Sequence, residues 1–259
     1  MAKVLINQWV LRGAQLAALC LIWAQATFAQ METTVPKETV LLHPSHMFGR
    51  VLVDQLEYQA TDPDDTLAWD LKGWYGGDFN RVWIKADGES SLQGDKDDAV
   101  ELQLLFSRLV APFWELQGGV RHDRVADETS TDTRSFATVG IQGLAPYRFE
   151  TDSALFVSEK GDVSLRLDLE SDLLITQRLV LQPQLKMDAA VNEVAEWGVG
   201  KGVNDVNFGL RLRYEIRREI APYIGVNWHR SVGDTADFVR QSGGKTRDTF
   251  VVGGLRVWF

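Results

Sequence analysis

The sequence predicts an all-β protein, an antiparallel transmembrane β-barrel of about twelve strands in a bacterial outer membrane. Side chains alternate apolar and polar with period two over most of the chain. Many alternating segments run to about ten residues, the length a tilted spanning strand needs. The connections between them are short and long in turn, as a barrel with both ends on the periplasmic side requires.

The front of the chain is different. Residues 1–29 hold Lys3 and Arg12, no acidic residue, and an apolar core from Leu16 to Trp23, followed by small residues at Ala24, Ala26, Thr27 and Ala29. A basic start, a short apolar core and a small-residue exit make a secretory signal peptide, with cleavage after Ala26 or Ala29. The apolar core is short for an uncleaved anchor. Leu19 is a poor neighbour for lipidation of Cys20. Cleavage removes the chain's one cysteine and leaves it two charges more negative than its formal −9. An acidic chain without thiols is no general nucleic-acid binder and no disulfide or Cys-rich metal scaffold. Residues 30–47 then form a short periplasmic segment, and 48–259 the barrel.

Within the barrel, strands are expected to start near residues 48, 67, 79, 99, 112, 135, 147, 162, 178, 205, 221 and 248. The clearest runs are Val163 to Ile175, Leu179 to Ala189, and Val206 to Ile216, where Phe208, Leu210 and Leu212 alternate with Gly209, Arg211 and Arg213. Successive strand side chains point to opposite faces, so each ribbon has a greasy face and a charged one. Tight turns are expected at 76–78, 111–112, 145–146, 176–178 and 217–219. Longer polar loops are expected at 87–98, 123–134, 190–204 and 231–247, with a shorter one at 158–162. The last strand ends on Phe259 with Val257, Leu255 and Val251 on its face, similar to the targeting signal of outer-membrane proteins. Trp74, Tyr75, Phe79, Phe113, Trp114, Phe136, Tyr147, Phe149, Tyr223, Trp258 and Phe259 fall near strand ends, where interfacial girdles lie. A soluble β-sandwich also alternates, with its greasy face inside. Alternation alone does not separate the two; strand length and the C-terminus favour the membrane.

The polar faces mix signs: Asp70, Lys72, Lys85, Glu101, Arg121, Arg148, Asp152, Arg166, Asp168, Glu170, Lys186, Arg211, Arg213 and Arg256 all fall on the inward register. Such a set can be a structural network or a polar path whose acidic excess attracts cations.

Long strings, among them RVWIKADGE (81–89), ELQLLFSRLVAPFWELQGGVRHD (101–123) and GVGKGVNDVNFGLRLRYEIRREIAPYIGVNWHRSVGDTADFVR (198–240), resemble the outer-membrane copper resistance protein B family over roughly residues 66–259. The resemblance implies a non-enzymatic barrel that binds copper ions or moves them across the outer membrane. It also implies contact with outer-membrane lipid, and a periplasmic copper-binding protein as candidate partner. Members commonly carry a Met- and His-rich segment ahead of the barrel, and thioether and imidazole groups suit copper. Here that segment holds only Met31, His43, His46 and Met47. His43, His46 and Met47 together offer two imidazoles and a thioether as a candidate copper site. Beyond it stand His122, His229 and Met187, the last on an apolar face.

Two other functions fit a barrel. One is a passive porin for small solutes. The other is a lipid hydrolase, with Asn227, His229 and Ser231 on one strand face.

Overall fold

The computed structural model describes residues 47–61, 64–92, 98–126 and 131–259. The expected signal peptide, His43 and His46 lie outside them. The strands are β1 (Phe48–Ala60), β2 (Thr66–Gly76), β3 (Asn80–Ser91), β4 (Asp98–Ala111), β5 (Trp114–Ala126), β6 (Thr131–Ala145), β7 (Phe149–Ser158), β8 (Val163–Ser171), β9 (Leu173–Leu174), β10 (Leu179–Ala190), β11 (Gly202–Tyr214), β12 (Ile220–Ser231) and β13 (Arg247–Trp258). Each pairs antiparallel with its neighbour in sequence, except that β8 and β9 both pair with β10. β13 returns to β1, where the Val51 and Phe259 backbones exchange hydrogen bonds of 3.1 and 2.8 Å. The sheet is therefore a closed barrel.

β8 and β9 keep one register on β10, so the wall has twelve staves. That register sets Ser171 opposite Pro183. Proline has no N–H to donate to a ladder, which accounts for the break there.

The side-chain pattern decides which face meets water. On β4, Val100, Leu102, Leu104 and Phe106 are exposed, while Glu101, Gln103 and Leu105 between them and Ser107 after them are buried. Leu104 is 51 % exposed and Gln103 is 6 % exposed. Among the described residues, twenty buried side chains are polar or charged and eleven are apolar, the reverse of a soluble core. The greasy belt faces outward and the ionic face inward, which rules out the sandwich. A closed barrel with that polarity belongs in a bacterial outer membrane.

Tight turns join the strands at one rim, the periplasmic one. At Pro146–Arg148 the turn places Tyr147 and Arg148 at φ of 65° and 64°. That turn carries Arg148 out into solvent, so it is not a lumen residue as its register suggested. At the outer rim the strands claim residues expected in loops: β3 continues to Ser91, β5 to Ala126, and β6 begins at Thr131. The last outer connection contains a helix, α1 (Gly233–Gln241), which the periodicity did not predict. Its Thr235 hydroxyl accepts a 2.8 Å hydrogen bond from the Gly200 N–H and ties α1 to the β10–β11 connection.

Candidate functional site: a charged, two-chambered lumen

A bulge at Asp54 sets the centre of the lumen. Val53 pairs with Leu71 but Gln55 with Asp70, so Asp54 is an extra residue in β1. The bulge reverses the alternation, and Asp54 and Gln55, although consecutive, both serve the interior. Arg50, Leu52 and Asp54 line the inner half, while Gln55 and Gln59 line the outer.

The interior holds two cavities, one of about 960 Å³ toward the outer rim and one of about 740 Å³ toward the periplasm. Lys72, Asp152 and Asp168 line both and mark the constriction between them. Around it, the Lys72 ammonium lies 3.1 Å from Asp54 and 3.3 Å from Asp70. Arg256 is 3.0 Å from Asp54. Lys186 sits between Asp168 and Asp70 at 3.8 and 3.9 Å. Lys85 reaches from β3 to Asp152 on β7 and donates to Gln117 at 3.1 Å. Gln55 on β1 donates to Gln184 on β10 at 3.2 Å. Arg211 on β11 gives Nε to Glu57 at 2.8 Å and Nη1 to Gln184 at 2.9 Å. Four of these contacts, Lys85–Asp152, Lys186–Asp70, Gln55–Gln184 and Arg211–Glu57, join strands three to five places apart around the ring. They cross the lumen and hold its middle narrow.

The outer chamber has an arginine–aromatic wall. Arg121 lies 5.0 Å from the Phe136 ring centre and 4.5 Å from that of Phe156, and Arg134 lies 4.9 Å from the Phe136 ring centre. Glu101 receives Arg121 at 2.6 Å and Arg166 at 2.9 Å. In the inner chamber Arg81 covers Trp74 at 4.5 Å and meets Glu115, which also accepts from Ser107 at 2.8 Å. Phe136, Tyr223 beneath Arg211, and Trp74 and Trp258 in the inner chamber are lumen residues and not girdle residues. Trp74 and Tyr223 do lie near strand ends, whereas Phe136 lies inside β6, and each is in phase with polar inward neighbours. Tyr75, Phe79, Phe113, Tyr147 and Phe259 do stand exposed at the periplasmic rim.

Of the sequence-level metal candidates, Met47 is exposed at the start of β1, with its sulfur near Gly77 of the β2–β3 turn. His43 and His46 are outside the described residues. Met187 sits on the outward register of β10 between Leu167 and Val206. His122 faces outward, with Nδ1 3.0 Å from the Ser135 hydroxyl. Among the described residues no group of three or more His, Cys, Asp and Glu side chains is placed to hold a metal ion. His229 lines the outer chamber, its Nε2 3.5 Å from Asp205 and 3.4 Å from the Ser231 hydroxyl. The Ser231 hydroxyl donates a 2.7 Å hydrogen bond to Asp205. The trio faces water in the lumen, away from acyl chains, and its hydroxyl is committed to a carboxylate.

Among the lumen residues missed from sequence are Asp54, Gln55, Glu57 and Gln59 of β1. The outward residues Val51, Val53, Leu56 and Tyr58 change phase at 54–55, and that change was the available signal.

A sequence profile described as copper resistance protein B precursor (CopB) matches residues 47–259, the whole barrel. The chain belongs to the copper resistance protein B family. Copper resistance protein B of Escherichia coli is 42 % identical over 218 residues, covering 84 % of this chain and 72 % of that protein. A copper resistance protein B homolog of Pseudomonas syringae pv. tomato is 35 % identical over the same shares. Among solved structures, the KdgM porin aligns with a TM-score of 0.47 at 8 % identity, over 82 % of this chain and 99 % of the porin. The outer membrane phospholipase A of Escherichia coli aligns at 0.49 and 12 %, over 81 % and 92 %.

Proposed function

We propose that this family member contributes to copper resistance by binding copper ions or moving them across the outer membrane, with copper as cargo. The observation that carries this reading is that the family match lies in the barrel itself, residues 47–259. The ion's path is then the lumen. Carboxylates on both sides of the constriction supply oxygen donors for a hydrated ion, and the lysines among them keep it from being held tightly. His43, His46 and Met47 would form one collecting site, with the imidazoles and thioether that copper accepts. A periplasmic copper-binding protein would meet the barrel on its periplasmic side, after a signal peptide ending at residue 29 had been removed.

Two measurements test it. Deleting the gene should lower the copper concentration tolerated for growth; a deletion strain that grows normally in copper overturns the role. Metal analysis of the purified mature protein should find copper, reduced by His43→Ala/His46→Ala and by removing residues 30–47. Copper content unchanged in both variants would remove the collecting site while leaving the lumen path standing. Large, unselective conductance in planar bilayers would favour the passive porin.

A further inference from the structure

Arg230 and Arg247 are direct cross-strand partners, the last pair of the β12–β13 ladder at its outer end. The pair one step inward, His229 and Asp248, lines the outer chamber. Alternation therefore turns both arginines to the outside of the barrel, where both are exposed. Side chains directly opposite one another on antiparallel strands stand about 5 Å apart at Cβ, and like charges there repel. The outward positions of β10 to β13 carry no Asp or Glu.

Their height on the wall is also defined. On the same outward face, Trp228 lies one step below Arg230, and Val226 and Val251 of the apolar belt lie below that, 47 % and 61 % exposed. Tryptophan marks the level where hydrocarbon gives way to headgroups. The two guanidiniums thus stand at the outer-leaflet headgroup layer.

We propose that Arg230 and Arg247 form a binding site for the phosphate of an outer-leaflet lipid, a phosphorylated glycolipid. A phosphate presents several acceptor oxygens to two planar guanidinium forks, which favours bidentate contacts. It also cancels the repulsion between the forks. The acyl chains of the same lipid would lie along Trp228 and the valines beneath. The site rests on the barrel's orientation in the membrane and not on its role with copper.

The test is a titration of the detergent-solubilised barrel with bisphosphorylated lipid A, dephosphorylated lipid A and inorganic phosphate, read by native mass spectrometry. Arg230→Ala/Arg247→Ala should weaken binding of the bisphosphorylated lipid about tenfold or more, the scale of one or two charge-assisted contacts. Arg230→Lys and Arg247→Lys should fall between. Arg108→Ala, at an exposed position near the periplasmic end of β4, should bind as wild type does. Removing the phosphates from the lipid should reproduce the loss on the unaltered protein, an arm that needs no variant to fold. Equal binding of both lipids, or undiminished binding by the double alanine variant, overturns the site. Inorganic phosphate bound at these arginines without any preference for the lipid overturns the assignment of a lipid as occupant.

Discussion

Glu57 has no exposed surface, and both of its oxygens accept from Arg211, at 2.8 and 3.3 Å. Such a pair gives little net stability over an apolar replacement, but stranding one partner is costly. Glu57→Ala should destabilise the barrel by about 3–5 kcal/mol, read as a lower urea midpoint in lipid vesicles, and Glu57→Ala/Arg211→Met should recover most of the loss. At the outer rim the Lys160–Glu196 pair, 2.8 Å apart, is fully solvated and behaves differently. Its hydrogen bond draws Glu196 below the usual carboxylate range and lifts Lys160 above the usual ammonium range. Because the carboxyl is depressed, the contact persists above that range and is lost as pH falls through the lowered value. Because the ammonium is raised, alkali breaks it only above the raised value. Spin labels at positions 159 and 193 should give a narrow distance distribution at neutral pH that broadens in acid. At this scale sequence phase was a sound guide where alternation ran unbroken, as at Arg211 and Arg213. It failed at Asp54, where one inserted residue changes faces, and at Arg148, where a turn does.

Among elements, β4 states the barrel's polarity most plainly. Leu104 lies mid-strand on the outward face, so Leu104→Arg should cost about 2–4 kcal/mol in refolding from urea into vesicles, as charge at the midplane of a lipid face does. Leu104→Ala should cost much less, since lipid fills the space. A comparable loss for both would mean that this face packs against protein. Strand existence was legible because period two survives from one end of a spanning segment to the other. Strand ends were less so: lengths at the outer rim follow ladder hydrogen bonds that continue into polar sequence such as Asp123–Arg124 and Thr131–Arg134. The α1 helix was illegible for a related reason. A nine-residue helix has little periodicity of its own and is fixed by a tertiary contact, Thr235 to Gly200.

For the whole molecule, two chambers and a charged neck imply low conductance. Lys85→Ala removes a cation that spans from β3 to Asp152 on β7, and it should both widen the neck and leave its carboxylates in excess. Single-channel recordings should show higher conductance and greater cation preference than wild type. Unchanged currents would place the resistance elsewhere. The closing seam carries a consequence of another kind. β1 finds its partner β13 only after some two hundred intervening residues have been made, so every shorter chain has two open edges and no sealed wall. Contacts that distant in sequence form late and slowly. Until the seam closes, both margins stay open to strand addition from other chains, and the incomplete wall is the stage most exposed to aggregation.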